Sequence, residues 1–178
     1  MDDLRAHLSP ALTSEARLLD ALDGTPDAIW EEYAAHLRQA LPPFDLLVTL
    51  PGAEGLAQAL SSGGLKTVQA GSGLMREPHA RGERWSLALA PLVNARAVLV
   101  VTPYLASALN ELEVAALSRQ GGAEPVGVAC ALERTDQGGR NRLEQQGLRV
   151  AACAQVATTP TGLIFERRVL PEGLGQEG

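Results

Sequence analysis

Residues 97–132, AVLVVTPYLASALNELEVAALSRQGGAEPVGVACAL, decide the fold. The runs AVLVVT (97–102) and VGVACAL (126–132) are apolar throughout rather than alternating, which is typical of central strands buried on both faces. A helical stretch, 107–119, lies between them and a glycine-containing turn follows it. Strand, helix and strand in this order predict a parallel pair of strands joined by a crossover helix.

The same alternation extends from residue 44 to residue 156, and it predicts an α/β fold with a mostly parallel central sheet flanked by helices. The predicted strands are 44–50, 66–70, 85–91, 97–102, 126–132 and 149–156, and the predicted helices between them are 54–61, 107–119 and 138–146.

The front segment, 1–43, is predicted to be helical and to pack on the core, 44–170. Thr13 or Ser14 caps a first helix that ends at Gly24, and Thr25-Pro26 supplies the N-cap and first-turn proline of a second. The second helix ends before Pro42-Pro43. The residues expected on its core face, at three- and four-residue steps, are Ile29, Tyr33, His36, Leu37 and Leu41.

Two segments are predicted to lack regular structure. GSGLMREPH and ARGERW (71–85) are polar and glycine-bearing between strands, which indicates a mobile loop. The tail PEGLGQEG (171–178) is rich in Gly and Glu with little to bury, so we expect it to be disordered.

The composition of the chain limits the classes of function and partner that we expect. A chain of 178 residues with 46% hydrophobic residues can bury one full core. The net charge of −6 argues against non-specific binding to nucleic acid or to an acidic membrane surface. No apolar run is long enough to span a bilayer and the N-terminus does not resemble a signal peptide, so we expect a cytoplasmic protein. A small molecule or another protein is the expected partner.

Cys130 and Cys153 both lie in apolar segments, and we expect them to be buried thiols that pack as small hydrophobes. His7, His36 and His79 have no ligand-like spacing to either cysteine. The sequence therefore predicts neither a disulfide framework nor a metal site.

The stretch AVLVVTPYLASALNELEVAAL (97–117) resembles the type I phosphoribosyltransferases, in particular the orotate enzymes. That family has a buried strand, two adjacent acidic residues that contact the ribose hydroxyls of phosphoribosyl pyrophosphate, and a Thr- and Gly-rich loop. The loop opens a helix and wraps the 5′-phosphate with backbone N–H groups. The resemblance covers about residues 44–156 and implies the type I fold.

In this chain the resemblance places the acidic pair on Thr102 and Pro103, and the phosphate loop on residues 106–110. A hydroxyl and a ring without an N–H replace two carboxylates. Ala108 and Leu109 stand where glycines let the backbone approach the phosphate. The candidate ligand contacts that remain in this stretch are Thr102, Ser107 and Asn110.

The segment VGVACALERTDQGGRNRLEQQGLRVAACAQV (126–156) resembles the next strand, turn, helix and strand of the family. Glu133-Arg134 stands where the family has an Asp-Arg pair whose arginine binds the carboxylate of the base in the orotate enzymes. A guanidinium suits that role because it makes two parallel hydrogen bonds to a carboxylate. The alternative interpretation of Arg134 is a solvated side chain that pairs with Asp136 or Glu133 in a surface turn.

Two further places extend the resemblance. LVTLPGAEGLAQAL (47–60) is similar to the strand, turn and helix near which the family binds pyrophosphate, so Ala53, Glu54 and Gly55 are candidate anion contacts. LMREPHARGE (74–83) resembles the family's mobile catalytic loop, in which Arg76 and His79 occupy lysine positions. The candidate catalytic residues are Arg76, His79 and Arg81.

Three functions follow as expectations. The first is a phosphoribosyltransferase-like protein that binds a small anionic or nucleobase-like ligand without transfer, because the groups that hold the sugar phosphate are missing. The second is a divergent orotate-type transferase of pyrimidine and nucleotide metabolism that uses phosphoribosyl pyrophosphate and Mg²⁺. The third is an interaction partner of an active homologue. Enzymes of the family commonly form dimers, so the resemblance implies a homodimer.

Overall fold

The computed structural model describes residues 3–61, 64–74 and 83–166. The helices are α1 (Asp3–Leu8), α2 (Glu15–Asp23), α3 (Asp27–Ala40), α4 (Glu54–Leu60), α5 (Leu89–Leu92), α6 (Leu109–Gln120) and α7 (Gly139–Gln145), with short 3₁₀ turns at Ser9–Ala11 and Thr135–Gln137. The strands are β1 (Leu46–Thr49), β2 (Lys66–Gln69), β3 (Gly71–Leu74), β4 (Glu83–Ser86), β5 (Ala97–Leu105), β6 (Glu124–Arg134), β7 (Arg149–Thr159) and β8 (Gly162–Phe165).

A six-stranded sheet has the order β2-β1-β5-β6-β7-β8, and β3 and β4 form a separate two-stranded sheet. The first five strands of the large sheet are parallel to their neighbours, and β8 runs antiparallel to β7. This arrangement confirms the predicted α/β fold with a mostly parallel sheet flanked by helices.

Both faces of the sheet are buried, as the uniformly apolar strands predict. On β5, Leu99 and Val101 pack with α1 to α4, whereas Val98 and Val100 pack with α6, α7 and Trp85 of β4. Successive side chains of a strand point to opposite faces, so each face of the sheet receives its own hydrophobic layer. Cys130 and Cys153 are both buried, as expected.

The N-terminal helices begin and end close to the predicted positions. The hydroxyl of Ser14 accepts a hydrogen bond from the N–H of Arg17 and caps α2. The prediction that Thr25 caps α3 is wrong: Pro26 occupies the N-cap position, and the Thr25 hydroxyl donates to the carbonyl of Ala21 instead. Thr25 therefore ends one helix rather than starting the next.

The core face predicted for α3 is rotated from the observed one. Trp30, Tyr33, Ala34 and Leu37 are buried, whereas His36 is exposed. His36 was expected at the edge of the core, but its Nδ1 lies 3.1 Å from the carbonyl oxygen of Glu32 on its own helix. The large indole of Trp30 gains more from burial than a half-polar imidazole does, and it sets the orientation of the helix.

Residues 85–91 were predicted to be one strand, and this prediction is wrong beyond Ser86. β4 ends at Ser86, and α5 begins at Leu89. Pro91 has no N–H for a strand ladder but fits the first turn of a helix. β4 pairs with β3, so Gly71–Leu74 is also a strand rather than part of the predicted loop.

The sequence predicted a helical front segment without bounds for a helix before residue 13, and it predicted no strand after residue 156. The structure shows α1 and β8 there, and it brings the two ends of the described chain into contact. The N–H of Leu163 donates to the carbonyl of Leu12, and the guanidinium of Arg5 donates to the carbonyl of Glu166 and lies over the ring of Phe165. The predicted disordered tail, 171–178, lies outside the described residues. Within the described ranges, no helix is long and apolar enough to cross a membrane.

Candidate functional site

The crevice between the ends of β1 and β5 is the expected place for a ligand. These strands are neighbours, but the chain leaves β1 through α4 toward one edge of the sheet and leaves β5 through α6 toward the other. α4 and α6 also cover opposite faces. Open α/β sheets bind ligands beyond the carboxyl ends of strands at such a reversal of strand order. The residues there are 50–55, after β1, and 102–110, at the end of β5 and the start of α6.

Pro103 fills part of this crevice. Gly52, in the turn after β1, has a φ of +84°, and a Cβ built on it would lie 3.4 Å from Cγ of Pro103. The proline ring therefore lies against the backbone of the turn. A ligand phosphate that approached Gly52 from the side of β5 would meet this ring, which offers no hydrogen-bond donor.

Thr102 is buried and faces α6. Its hydroxyl donates a hydrogen bond of 2.8 Å to Oε1 of Glu111, and the two residues are only 2% and 4% exposed. A carboxylate at position 102 would oppose the Glu111 carboxylate at this distance, whereas a hydroxyl donates to it. Thr102 and Glu111 are thus chemically matched to each other.

Glu111 is the third residue of α6, where three backbone N–H groups have no partner within the helix. Burial raises the pKa of Glu111, and the hydrogen bonds from Thr102 and from its own backbone N–H act in the opposite direction. In its ionised form this carboxylate opposes the positive potential of the helix N-terminus. Glu111 therefore places a carboxyl group of the chain itself beside the first turn of α6, on the buried side of the helix.

The loop before α6 keeps a backbone shape that normally requires glycine. Ala108 has a φ of +63°, in the left-handed region, and it is the N-cap of α6. The conformation costs an alanine about 1–2 kcal/mol. Ala108 therefore adopts a left-handed conformation although it carries a side chain.

Helix α7 packs against the backbone of this loop. A Cβ on Gly139 would lie 2.2 Å from the carbonyl oxygen of Ala106, so the helix touches the loop at its backbone. Arg142 donates a hydrogen bond of 2.8 Å to the carbonyl oxygen of Ser107. Ser107 is half-buried and Asn110 is exposed.

Arg134 is the centre of a hydrogen-bond network. Its Nε and Nη2 donate to the two carboxylate oxygens of Asp136 at 2.8 and 2.9 Å, and Nη2 also donates to the Thr158 hydroxyl. Nη1 donates to the Tyr104 hydroxyl at 3.0 Å and to a carboxylate oxygen of Glu15 at 3.2 Å. All five donors of the guanidinium are engaged. Its residue exposure of 9% contradicts the solvated alternative, although the predicted pairing with Asp136 is present.

Electrostatics reinforce this network. The hydrogen bonds from Arg134 and then Thr158 hold the pKa of Asp136 well below its usual range. Burial raises the pKa of Tyr104, against the opposing effect of its hydrogen bond from Arg134. Asp136 is therefore ionised and Tyr104 neutral at physiological pH, which matches their roles as acceptors from the guanidinium.

Glu133, the other member of the Glu-Arg pair, is buried and points elsewhere. Arg140 donates to both of its carboxylate oxygens, and Nε2 of Gln155 adds a third hydrogen bond at 2.9 Å. The hydrogen bond to Glu133 is the largest cause that raises the pKa of Arg140. This pair connects α7 to β6 and β7 and is separate from the Arg134 network.

The predicted anion contacts at the start of α4 are largely covered. The N–H of Ala53 donates to the carbonyl of Leu50, and Ala53 is buried. A Cβ on Gly55 would lie 2.7 Å from the Trp30 indole, so α3 packs directly on this helix turn. Glu54 is exposed, and it accepts a hydrogen bond of 2.7 Å from Gln69.

The side-chain charges beside the start of α4 also disfavour the binding of an anion. A cavity of about 250 Å³ beside the start of α4 is lined by the carboxylates of Asp23, Asp27 and Glu54, and its described lining contains no Lys or Arg. Carboxylates within a few ångströms repel a pyrophosphate. The backbone turn resembles an anion site, but its side chains do not.

The predicted catalytic candidates Arg76, His79 and Arg81 lie outside the described residues. The strands on either side of them, β3 and β4, pair in antiparallel register from Gly71 opposite Ser86 to Leu74 opposite Glu83. The N–H of Trp85 donates to a carboxylate oxygen of Glu113 on α6. The base of this hairpin is therefore attached to the helix that follows the candidate loop.

The side chains at the crevice do not fit the Mg²⁺ ion that an active family enzyme would use. Mg²⁺ is held by oxygen ligands, usually one or two carboxylates and the phosphates of the substrate. Here the end of β5 carries Thr102 and Pro103, which offer no carboxylate, and the carboxylate of Glu111 is turned into the protein. The described parts of the chain contain no group of three or more His, Cys, Asp or Glu that could hold a metal.

Sequence reasoning missed four residues that define this site: Glu111, Tyr104, Thr158 and Glu15. The sequence signal for Glu111 was a carboxylate directly after the candidate loop, three and four residues before the apolar Val114 and Ala115. Thr158 and Glu15 are far from Arg134 in the sequence, and no local pattern indicates their contact.

Solved structures with a similar architecture are phosphoribosyltransferases. The adenine phosphoribosyltransferase of Thermoanaerobacter pseudethanolicus is 16% identical with a TM-score of 0.58, over 71% of this chain and 80% of that chain. The enzyme of Giardia lamblia, solved with 9-deazaadenine, is 18% identical with a TM-score of 0.57, over 83% of each chain. The orotate phosphoribosyltransferase of Aeropyrum pernix is 13% identical with a TM-score of 0.54, over 72% of this chain and 70% of that chain.

Similar curated sequences are xanthine phosphoribosyltransferases. The protein of Staphylococcus carnosus is 41% identical over 61 residues, which cover 34% of this chain and 32% of that protein. The protein of Geobacillus thermodenitrificans is 34% identical over 74 residues, which cover 41% of this chain and 38% of that protein. The chain thus spans less than half the length of these relatives, and no protein-family model matches it. The strand order and the likeness to the solved structures show that the chain has the type I phosphoribosyltransferase fold.

Proposed function

We propose that this protein is a phosphoribosyltransferase-like protein that does not transfer phosphoribosyl groups. The observation that carries the proposal is the hydrogen bond between Thr102 and Glu111 at the start of α6. It places an internal carboxylate at the helix N-terminus, where a phosphoribosyl donor would need unopposed positive potential.

Pro103 supports the same conclusion from the other side of the crevice. Its ring lies against Gly52, and it provides neither a charge nor an N–H to a ribose or a phosphate. Phosphoribosyl transfer depends on positioning the sugar phosphate and on stabilising charge as the glycosidic bond opens. Thr102, Pro103 and Glu111 in this crevice contribute little to positioning the sugar phosphate and little to stabilising that charge.

The hydrogen bonds of Arg134 also disfavour the binding of an orotate-like base. The five donors of its guanidinium are already used, so the carboxylate of a base would have to displace Glu15, the more exposed of its two carboxylate partners. Asp136 would remain paired and would repel the incoming carboxylate. The orotate-type activity expected from the sequence is therefore the less favoured proposal.

Calorimetric titration with phosphoribosyl pyrophosphate and Mg²⁺ tests the proposal directly. We expect no micromolar binding by the wild-type protein. The matched variant is Thr102→Asp/Pro103→Asp/Glu111→Gln, which restores two carboxylates at the end of β5 and removes the internal one. We expect this variant to gain affinity for the same ligand. Micromolar binding by the wild-type protein would contradict the proposal.

The second candidate function is transfer to a purine base, and the local identity of 41% to a xanthine phosphoribosyltransferase favours it. An assay that follows pyrophosphate release with xanthine, adenine and orotate separates the two functions. Turnover with xanthine that the Thr102→Val variant abolishes would support transfer and overturn our first proposal. No turnover with any of the three bases is the expected result.

A further inference from the structure

The acidic cavity, lined by Asp23, Asp27 and Glu54, lies where three helices meet. Each carboxylate comes from a different helix: Asp23 ends α2, Asp27 begins α3 and Glu54 begins α4. All three residues are exposed, so their charges are open to a ligand from solvent. The cavity volume of about 250 Å³ suits a molecule with on the order of ten non-hydrogen atoms.

The indole of Trp30 adds a hydrogen-bond donor to this cavity. Trp30 is 5% exposed and lines the cavity together with Gly55, and a Cβ on that glycine would lie 2.7 Å from both Cδ1 and Nε1 of the indole. No described residue accepts a hydrogen bond from this N–H. The indole N–H of Trp85 is also unpartnered, but its Nε1 is completely enclosed, whereas the Nε1 of Trp30 is not. The Trp30 donor can therefore reach an acceptor that comes from outside the chain.

The cavity continues along α3 into a larger space. A neighbouring cavity of about 480 Å³ shares Asp27, Gly55 and Gln58 with it and adds the carboxylate of Glu31. Asp27 and Glu31 are about 6 Å apart along the helix axis, on the same side of α3. An elongated ligand can therefore contact carboxylates in both spaces.

Two charges around these cavities are unfavourable without a cation. Asp23 lies at the C-terminus of α2, where a carboxylate opposes the negative end of the helix dipole. Asp27 and Glu31 are like charges four residues apart on α3, which repel each other. A positively charged ligand would relieve both effects.

Arg38 is the cationic side chain in the described lining of the larger cavity. Its Nη2 donates hydrogen bonds of 2.6 and 3.0 Å to the carbonyl oxygens of Ala59 and Leu60, at the end of α4. Arg38 is about 16 Å from Asp27 along α3. The end of the cavity that contains Trp30 therefore remains negatively charged.

The spread of the carboxylates favours an organic cation. Among the described residues, no three acidic side chains, histidines or cysteines lie close enough together to hold one metal ion. A dication with separated charges matches separated carboxylates. The N–H of Trp30 requires an acceptor in addition, and a carbonyl oxygen on the ligand would supply it.

We propose that the acidic cavity binds a small organic dication that carries a carbonyl oxygen, with this oxygen at the indole N–H of Trp30 and its charges beside the surrounding carboxylates. The proposal is independent of the crevice between β1 and β5, because this ligand needs neither a phosphate site nor phosphoribosyl transfer.

The test is a protein-detected NMR titration of the full chain with L-argininamide at pH 6.5, where its α-ammonium and guanidinium are both charged. The chain has two tryptophans, so it has two indole N–H signals, and Trp30→Phe assigns them by removing one. We expect L-argininamide to shift the indole signal of Trp30 and to leave that of Trp85 in place. An unmoved Trp30 signal would show that water satisfies this donor and would overturn the proposal.

Two further ligands separate the contributions of the ligand groups. Agmatine has the same two charges without the carbonyl oxygen, and it should bind about fivefold more weakly. L-Arginine replaces the amide by a carboxylate, which the acidic lining repels, and it should also bind more weakly than L-argininamide. Agmatine or L-arginine binding as tightly as L-argininamide contradicts the proposal.

A charge variant keeps the test decisive if Trp30→Phe folds poorly. Asp27→Asn/Glu31→Gln changes two exposed side chains and should lower the affinity for L-argininamide about tenfold. The matched control, Asp20→Asn/Glu124→Gln, makes the same change in net charge outside the two linings and should alter the affinity less than about twofold. Equal affinities of the two double variants would overturn the proposal.

Discussion

The hydroxyl of Thr102 donates a 2.8 Å hydrogen bond to the carboxylate of Glu111, and both side chains are buried beneath the loop that starts α6. The pair explains why a hydroxyl rather than a carboxylate at position 102 is consistent with a stable fold. A carboxylate at 102 would repel Glu111 in a medium of low polarity, whereas the hydroxyl partly satisfies it.

Thr102→Val should destabilise the protein. The substitution preserves the shape of the side chain but leaves the Glu111 carboxylate without its side-chain donor, at a cost of about 1–3 kcal/mol in the free energy of unfolding. Urea denaturation measures the change. Thr161→Val, at an exposed turn, should stay within about 0.5 kcal/mol of the wild type. Equal stability of the two variants would show that Glu111 obtains a donor elsewhere.

Glu111→Gln should stabilise the protein at neutral pH. Burial raises the pKa of Glu111 above its ordinary value of 4.5, so the folded state binds more protons than the unfolded state between these two values. The free energy of unfolding therefore falls as pH rises through that interval. A glutamine still accepts from Thr102 but carries no charge.

The advantage of Glu111→Gln should be largest at neutral pH and should shrink as pH falls toward 4.5, where Glu111 becomes protonated in both states. Melting temperatures of both proteins across this range provide the measurement. A variant that is less stable than the wild type at pH 7 would mean that α6 depends on the charge of Glu111 for its N-terminal stability.

The large sheet was predictable from the sequence because its central strands are apolar on both faces. AVLVVT and VGVACAL are short, apolar throughout and rich in valine, which favours strands in the middle of a sheet covered by helices. β3 and β8 were not predictable, since GSGL and GLIF are short and contain glycine, and only pairing with β4 and β7 makes them strands.

The site was predictable in position but not in its contacts. The sequence identified Thr102, Pro103 and Arg134 as residues at strand ends. It placed the start of α6 at Ser107, two residues before the observed start at Leu109, so Glu111 was not recognised as a first-turn carboxylate. Arg134 donates hydrogen bonds to residues of β5, β7 and α2. These elements are far apart in the sequence, and only folding brings them together.

Gly139→Ala should destabilise the protein and displace the candidate loop. Its added methyl group would lie 2.2 Å from the carbonyl oxygen of Ala106, a backbone atom that cannot move without the loop. Overpacking of this kind costs about 1–3 kcal/mol. Gly24→Ala is the control, because its Cβ would have no atom nearer than 3.8 Å and its φ is −88°. Thermal unfolding compares the two, and equal melting temperatures would contradict the contact between α7 and the loop.

Arg134→Lys should lower the stability more than Glu15→Gln does. An ammonium group cannot reproduce the paired hydrogen bonds to Asp136 while it also reaches Tyr104 and Thr158, and we expect a loss of about 2–3 kcal/mol. Glu15 is half-exposed, and loss of its single ion pair should cost less than about 1 kcal/mol. Chemical denaturation gives both values. Comparable small losses in the two variants would show that Arg134 is held loosely and is available to a ligand, which would restore the carboxylate-binding role that the sequence suggested.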